Sequence, residues 1–218
     1  MKLKISNLAL MTVLAVTSWT LADDKTISSV PPDEAVKRLK EGNERFAKSN
    51  VIGEKPVAAR RTETAKGQNP FAIVVGCADS RTAPEIVFDQ TIGDLFVVRA
   101  AGNLVDDYAL GSIEYAVEHL GARLIVVLGH ERCGAVTAAL AGDSAPGHIN
   151  SLVRDIQPAV AASKGKEGDA VANAIHANDS LVATKIRTQA QLGELASQVK
   201  IVEAYYDLDT GKVEWAAK

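Results

Sequence analysis

Aromatic side chains are scarce, at 5% of a 218-residue chain, and the formal net charge is −3 with no basic cluster standing out. A surface that grips and stacks nucleic acid needs both features, so nucleic acid is not an expected partner. Cysteine is scarcer still: Cys77 and Cys133 are the only two. They allow one bridge at most, and no Cys-x-x-Cys is present to support thioredoxin-like redox chemistry. A phosphatase-type cysteine loop also fails, because Arg81 follows Cys77 too closely to cradle a phosphate. Internal repeats and low-complexity stretches are absent. Beyond the first residues no apolar run is long enough to span a bilayer, which takes about 20 residues.

What the chain does have is apolar content, 47% of its residues, enough for one substantial core in a single domain. Its N-terminus reads separately. Lys2 and Lys4 precede the apolar run Leu8–Val16, and Thr20-Leu-Ala22 stands before Asp23-Asp24. A basic start, a short apolar stretch and a small residue at the junction describe a secretory signal peptide rather than a membrane anchor. The expected organisation is a signal peptide over 1–22, cleaved after Ala22, and a single domain over 23–218. Removing the two lysines of that segment takes the net charge from −3 to −5. The mature protein is expected to be exported, periplasmic or equivalent, and free of the membrane.

Downstream, Pro31-Pro32-Asp33 opens a helix carrying Ala35, Val36, Leu39 and Phe46 roughly on one face. A mixed-charge segment from Glu54 to Gly67 reads as irregular or partly helical. Buried strands are expected at about Phe71–Gly76, Leu95–Val98, Leu124–Leu128 and Val199–Tyr205. Leu110, Ile113, Val117 and Leu120 recur at helical spacing, with Asp106 or Asp107 to cap and Gly121 to stop the helix. The third strand leads into an Ala-rich helix ending near Gly142. A longer helical region spans about His148–Ala196, broken around Gly165–Gly168. The turn Asp207–Gly211 leads to a short edge strand at Val213–Trp215. Continuous apolar strands alternating with helices predict an α/β fold: a mostly parallel central sheet flanked by helices, with a short antiparallel C-terminal edge strand and an N-terminal helical arm.

Two motifs stand at strand ends. Cys77-Ala-Asp-Ser-Arg81 follows Phe71-Ala-Ile-Val-Val75, and His130-Glu-Arg-Cys133 follows Leu124-Ile-Val-Val-Leu128. Ligands of open α/β sheets bind outside the carboxyl ends of strands, so both motifs converge on one crevice. Two thiols, an imidazole and a carboxylate are the donor chemistry of zinc, and Cys133 is expected in the first turn of the following helix. Taken alone, two cysteines in an exported chain favour a disulfide; Asp79 and His130 weigh toward metal, since a bridge needs neither. Asp79 bound to zinc would fill the fourth position and close the site. Withdrawn, it leaves the open position of catalytic zinc, and Arg81 offers a fork that can hold the released carboxylate bidentately.

These residues resemble the β-class carbonic anhydrases. The family's Cys-x-Asp-x-Arg matches Cys77, Asp79 and Arg81, and its His-x-x-Cys matches His130 and Cys133. The likeness runs through Gly93–Arg99, Ser112–Val117 and Val126–His130 and covers most of the chain after residue 22. It implies zinc-dependent, reversible hydration of carbon dioxide to bicarbonate and a proton, by attack of zinc-bound hydroxide. Cys77, His130, Cys133 and Asp79 would be the metal set, with Asp79 and Arg81 in catalytic roles. It further implies that Gln68, Phe96 and Tyr115 line the substrate pocket. Arg99 matches an arginine with which some members hold bicarbonate at a regulatory position. A homodimer or homotetramer is implied, with pockets at the subunit boundary and the N-terminal helix embracing the partner. One departure is Arg99-Ala-Ala-Gly-Asn103, where many relatives have Arg-Asn. On residue type alone Phe96 is core, Tyr115 sits on a mostly apolar helix face, and Gln68 is a polar residue near Pro70. His119, His148 and His176 are expected in surface or capping roles. A hydrolase of another small heterocumulene such as carbon disulfide, or a non-catalytic zinc or disulfide-stabilised module, are the rival readings.

Overall fold

A computed structural model describes residue 28 and residues 30–49, 57–142 and 144–216. The expected signal peptide and its cleavage point lie outside the described residues. Seven α-helices and five strands follow in chain order: α1 (Pro32–Ala47), α2 (Val57–Thr64), β1 (Ala72–Cys77), α3 (Pro84–Val87), β2 (Leu95–Ala100), α4 (Asp107–Leu120), β3 (Leu124–His130), α5 (Gly134–Ala141), α6 (Ile149–Ser163), α7 (Ala170–Gln189), β4 (Lys200–Tyr206) and β5 (Val213–Trp215). Short 3-10 turns at Ala101–Asn103 and Gly193–Gln198 precede α4 and β4.

The strands form one sheet in the order β2-β1-β3-β4-β5. All neighbouring pairs are parallel except β4 with β5, which is antiparallel. The fold class expected from the sequence is therefore the one observed. Side chains alternate between two cores, as the period of a strand requires. Ile73, Val75, Ile125 and Val127 face Ile113 and Val117 of α4 and Val182 and Ile186 of α7. Ala72, Val74, Leu124 and Val126 face Ala35 and Leu39 of α1, with Val87 and Phe88. Burial on both faces explains why β1 and β3 read as unbroken apolar runs.

Helix ends follow the sequence signals. The Asp106 side chain accepts from the Ala109 amide at the start of α4, and Gly121 ends that helix in the left-handed region at φ 73°. The long C-terminal helical region divides at Gly165 and Gly168, with φ 78° and 93°. It stops at Gln189 rather than near Ala196, because Leu192 turns inward to the core and Gly193 adopts φ 53°. β2 runs two residues past Val98, because Arg99 and Ala100 pair with Gly76 and Cys77.

From β1 the chain moves outward to β2, and from β3 it moves the other way to β4. The carboxyl ends of β1 and β3 therefore flank the switch point of the sheet, where the two connections diverge and leave a crevice. Cys77 and His130 are the last residues of those two strands.

Candidate metal centre

Cys77, His130 and Cys133 are brought together at that crevice, their ligand atoms all within 4.8 Å of one another. All three are buried, with 5%, 1% and 2% of their surfaces exposed. Both cysteines are unbridged. Cys133 stands one residue earlier than expected, as the N-cap of α5 with extended backbone (φ −66°, ψ 117°) rather than inside its first turn. Arg132 makes this possible: at φ 52° it turns the chain through the left-handed region between the two ligands. That turn is braced by the hairpin between β4 and β5. Arg132 forks onto Asp209 at 2.7 and 2.9 Å, and the Leu208 amide donates to Glu131 at 3.2 Å.

The imidazole is oriented by its own neighbour. His130 Nδ1 lies 2.9 Å from the Glu131 carbonyl oxygen, an acceptor only, so Nδ1 carries the proton and Nε2 presents a lone pair. Among the described residues Nε2 is the one buried side-chain nitrogen or oxygen without a hydrogen-bond partner. A buried acceptor left in this way costs about 1–3 kcal/mol, unless an electron-pair acceptor sits opposite it. Two sulfurs within 4.8 Å supply the rest of such a site, since ligand atoms of a tetrahedral zinc stand ~4 Å apart. The donor set fits zinc.

Proton sharing points the same way. The Cys133 side chain beside it, with the Asp79 and Gly102 amides, holds the Cys77 thiol down to about 4 against the opposing effect of burial. Cys133, as donor in a buried pair, is pushed up.

Asp79 and Arg81 form the fork anticipated from their spacing. Arg81 Nε donates to Oδ1 at 2.9 Å and Nη2 to Oδ2 at 2.6 Å, while the Arg81 amide adds a third bond to Oδ1 at 2.9 Å. The guanidinium holds the Asp79 carboxyl well below the usual carboxylate range. Oδ2 lies 3.9 Å from His130 Nε2, so the carboxylate stands beside the ligand trio with both oxygens engaged by Arg81. Arg99 is a strut: its Nε donates to the Cys77 carbonyl at 2.8 Å and its Nη2 to the Asp79 carbonyl at 2.6 Å.

Gln68, Phe96 and Tyr115 lie elsewhere within this chain. Gln68 is exposed and precedes the start of β1, whereas Cys77 ends it. Phe96 pairs with Ile73, four residues before Cys77, or about 13 Å away at the rise of a strand. Phe96 and Tyr115 meet each other, ring centroids 6.4 Å apart. Of the remaining histidines, His148 caps α6 through backbone alone, and His176 stacks on Tyr205 at 4.6 Å.

Sequence reasoning missed a buried polar group behind the cluster. The Gly102 amide donates to Cys77 Sγ at 3.3 Å. Asn178 and Asp179 of α7 reach Gly102 and Asn103 from the other side. Gly102-Asn103, two residues that tolerate positive φ, and the polar pair on an otherwise apolar helix face were the available signals.

A family model described as carbonic anhydrase matches residues 72–213. Carbonic anhydrase 2 of Mycobacterium tuberculosis is 41% identical over 189 residues, which are 83% of this chain and 91% of that protein. The structure of Coccomyxa β-carbonic anhydrase in complex with acetazolamide superposes with a TM-score of 0.68 at 27% identity, covering 82% of this chain and 84% of that one. The tetrameric β-carbonic anhydrases of Sordaria macrospora share the fold, with a TM-score of 0.65 at 22% identity over 74% of this chain and 91% of theirs.

Proposed function

The chain belongs to the β-class carbonic anhydrases, and from that premise we propose that it hydrates carbon dioxide reversibly with a zinc ion held by Cys77, His130 and Cys133. The observation that carries the zinc reading is the unpartnered, buried Nε2 of His130 facing two thiols. Zinc bound by three protein ligands lowers the pKa of a bound water from 15.7 to about 7, which makes a strong nucleophile available at neutral pH. The chain's own residues supply orientation. Asp79, a carboxylate at every working pH, accepts a hydrogen bond from the attacking oxygen and aims its lone pair at the carbon. Arg81 keeps that carboxylate from taking the fourth metal position. The Cys-His-Cys set around it is buried, which suits a small uncharged substrate.

The substrate pocket is completed at a subunit boundary. Gln68, Phe96 and Tyr115 of one chain are too far along the sheet to reach its own metal ligands, yet Tyr115 is 40% and Tyr108 87% exposed on α4. A partner subunit would cover that face and bring those residues to the crevice, in a homodimer or a homotetramer such as the Sordaria macrospora relatives form. The export reading from Lys2, Lys4 and the run after Leu8 belongs with this proposal. Among the described residues no helix is long and apolar enough to cross a membrane.

Protein purified without added metal should contain one zinc per chain by elemental analysis and hydrate carbon dioxide in a stopped-flow indicator assay. Active, metal-free protein with Cys77 bridged to Cys133 would overturn the zinc reading. Hydrolysis of carbon disulfide without carbon dioxide hydration would move it to the rival substrate. Mass spectrometry of exported protein should give a chain starting near Asp23, and the intact chain recovered from soluble cytoplasm would reject export.

A further inference from the structure

Behind the metal ligands lies a buried polar group that the proposed reaction does not use. The 3-10 turn after β2 holds two successive residues at positive φ, Gly102 at 68° and Asn103 at 45°. Glycine adopts this freely and asparagine tolerates it, but a pair of such residues persists only where the surroundings over-determine them. Here they do. Asn178 Nδ2 donates to the Gly102 carbonyl at 2.8 Å, and Asn103 Nδ2 donates to Asp179 Oδ1 at 3.0 Å. Asn103, Asn178 and Asp179 are each 2% exposed. On the remaining side Ile156 crowds Gly102, where a Cβ would come within 2.9 Å of its Cδ1.

Held from α7, the turn aims an amide at sulfur. Gly102 N–H donates to Cys77 Sγ at 3.3 Å. A hydrogen bond to a thiolate withdraws electron density from it, which lowers the energy of the sulfur lone pairs and tunes how strongly that ligand donates to a metal. We propose that Asn178 and Asp179 are positioning residues of the metal centre, acting through Gly102 N–H to fix the orientation and donor strength of the Cys77 thiolate. The inference rests on Cys77 being a zinc ligand, and it adds a control element that reaches Gly102 from 76 residues further along the sequence. Nothing in either zinc motif reveals it.

Asn178→Leu keeps the branched arrangement of heavy atoms and removes the donor to Gly102. Its zinc dissociation constant, measured by competition with a chromogenic chelator, should rise about 10- to 100-fold, the usual cost of removing a group that orients a ligand. In the cobalt-substituted protein the sulfur-to-metal charge-transfer band should move to lower energy, because a thiolate relieved of its hydrogen bond gives up an electron more readily. A peg that only stabilised the fold would lower the melting temperature and leave that band in place. An unchanged band and unchanged zinc affinity in folded Asn178→Leu, with wild type binding metal normally, overturn the inference while sparing the zinc reading. Failure of wild type to bind zinc or cobalt overturns both. A measurement on the wild type decides the matter should the variant not fold. With a spin-active cadmium isotope in the site, the Gly102 amide proton should show scalar coupling to the metal through the Cys77 sulfur. Absence of coupling on an assigned Gly102 signal overturns the inference.

Discussion

Arg81 carries most of the weight at the residue scale, because a carboxylate placed 3.9 Å from the unpartnered imidazole nitrogen of His130 would close the proposed zinc site if released. Arg81→Ala should retain zinc, since Asp79 can then serve as a fourth ligand, while carbon dioxide hydration falls by ~10²-fold or more, the scale for losing a positioned catalytic group. Zinc content and stopped-flow hydration measured together check this. Near-wild-type hydration with zinc retained would reduce Arg81 to a structural partner of Asp79. Truncation of His130 should act differently: His130→Ala removes the one nitrogen donor, so metal content and activity should fall together. That pair of results separates a gating residue from a ligand.

Whole elements stand or fall with a few close approaches. Helix α1 is fastened to its own sheet by Asn43, whose Nδ2 donates to the carbonyls of Val87 at 3.1 Å and Gly211 at 2.8 Å. Its Oδ1 accepts from the Val213 amide at 2.8 Å. Asn43→Ala would leave those buried backbone groups unpaired at a cost of about 1–3 kcal/mol, read as a shift in the urea midpoint. The α1 backbone also lies so close to Phe88 that a Cβ at Gly42 would collide with the Phe88 carbonyl oxygen. Gly42→Ala should therefore lift α1 from the sheet and expose it to limited proteolysis, with β1 and β3 still protected. A second close approach joins α7 to β3, where a Cβ at Gly129 would meet the Asp179 carboxylate. Gly129→Ala is expected to displace His130 along with its strand and weaken zinc binding, measurable by the same chelator competition. The unbroken apolar strands and the Asp106 and Gly121 caps were legible in the chain. These contacts were not, because each joins residues far apart in sequence and leaves no local pattern.

For the whole molecule, the proposed metal and the proposed assembly are the two levers. A ligand that binds only the folded chain stabilises it by about 4 kcal/mol at a thousandfold excess over its dissociation constant. At about 2–4 °C per kcal/mol for a chain of this size, chelation should lower the melting temperature by about 10 °C. Calorimetry of zinc-loaded and chelator-treated protein checks it; identical transitions would argue against a tightly held ion. Assembly is tested at the exposed aromatic face of α4. Tyr108→Glu should shift sedimentation toward the monomer and reduce hydration while each chain keeps its zinc. Unchanged sedimentation would place the subunit boundary elsewhere.

The sequence by itself determined the fold class and pointed to the Cys77, His130 and Cys133 cluster. Strand and helix periodicity is a local property, and two short motifs at strand ends carried thiols, imidazole and carboxylate in a recognisable spacing. Even the Asp79–Arg81 fork was readable, since two residues of separation bring the side chains together whatever surrounds them. Only the tertiary structure decided the rest. It gave His130 Nε2 its lack of a partner, assigned Arg99 to the Cys77 and Asp79 carbonyls, and set Gln68, Phe96 and Tyr115 away from the ligands of their own chain. It also placed Asn178 and Asp179 behind Cys77. The physical reason is common to all of these: each depends on which distant segments the sheet order brings side by side, and a hydrogen bond formed across 76 residues imposes no periodicity on either end.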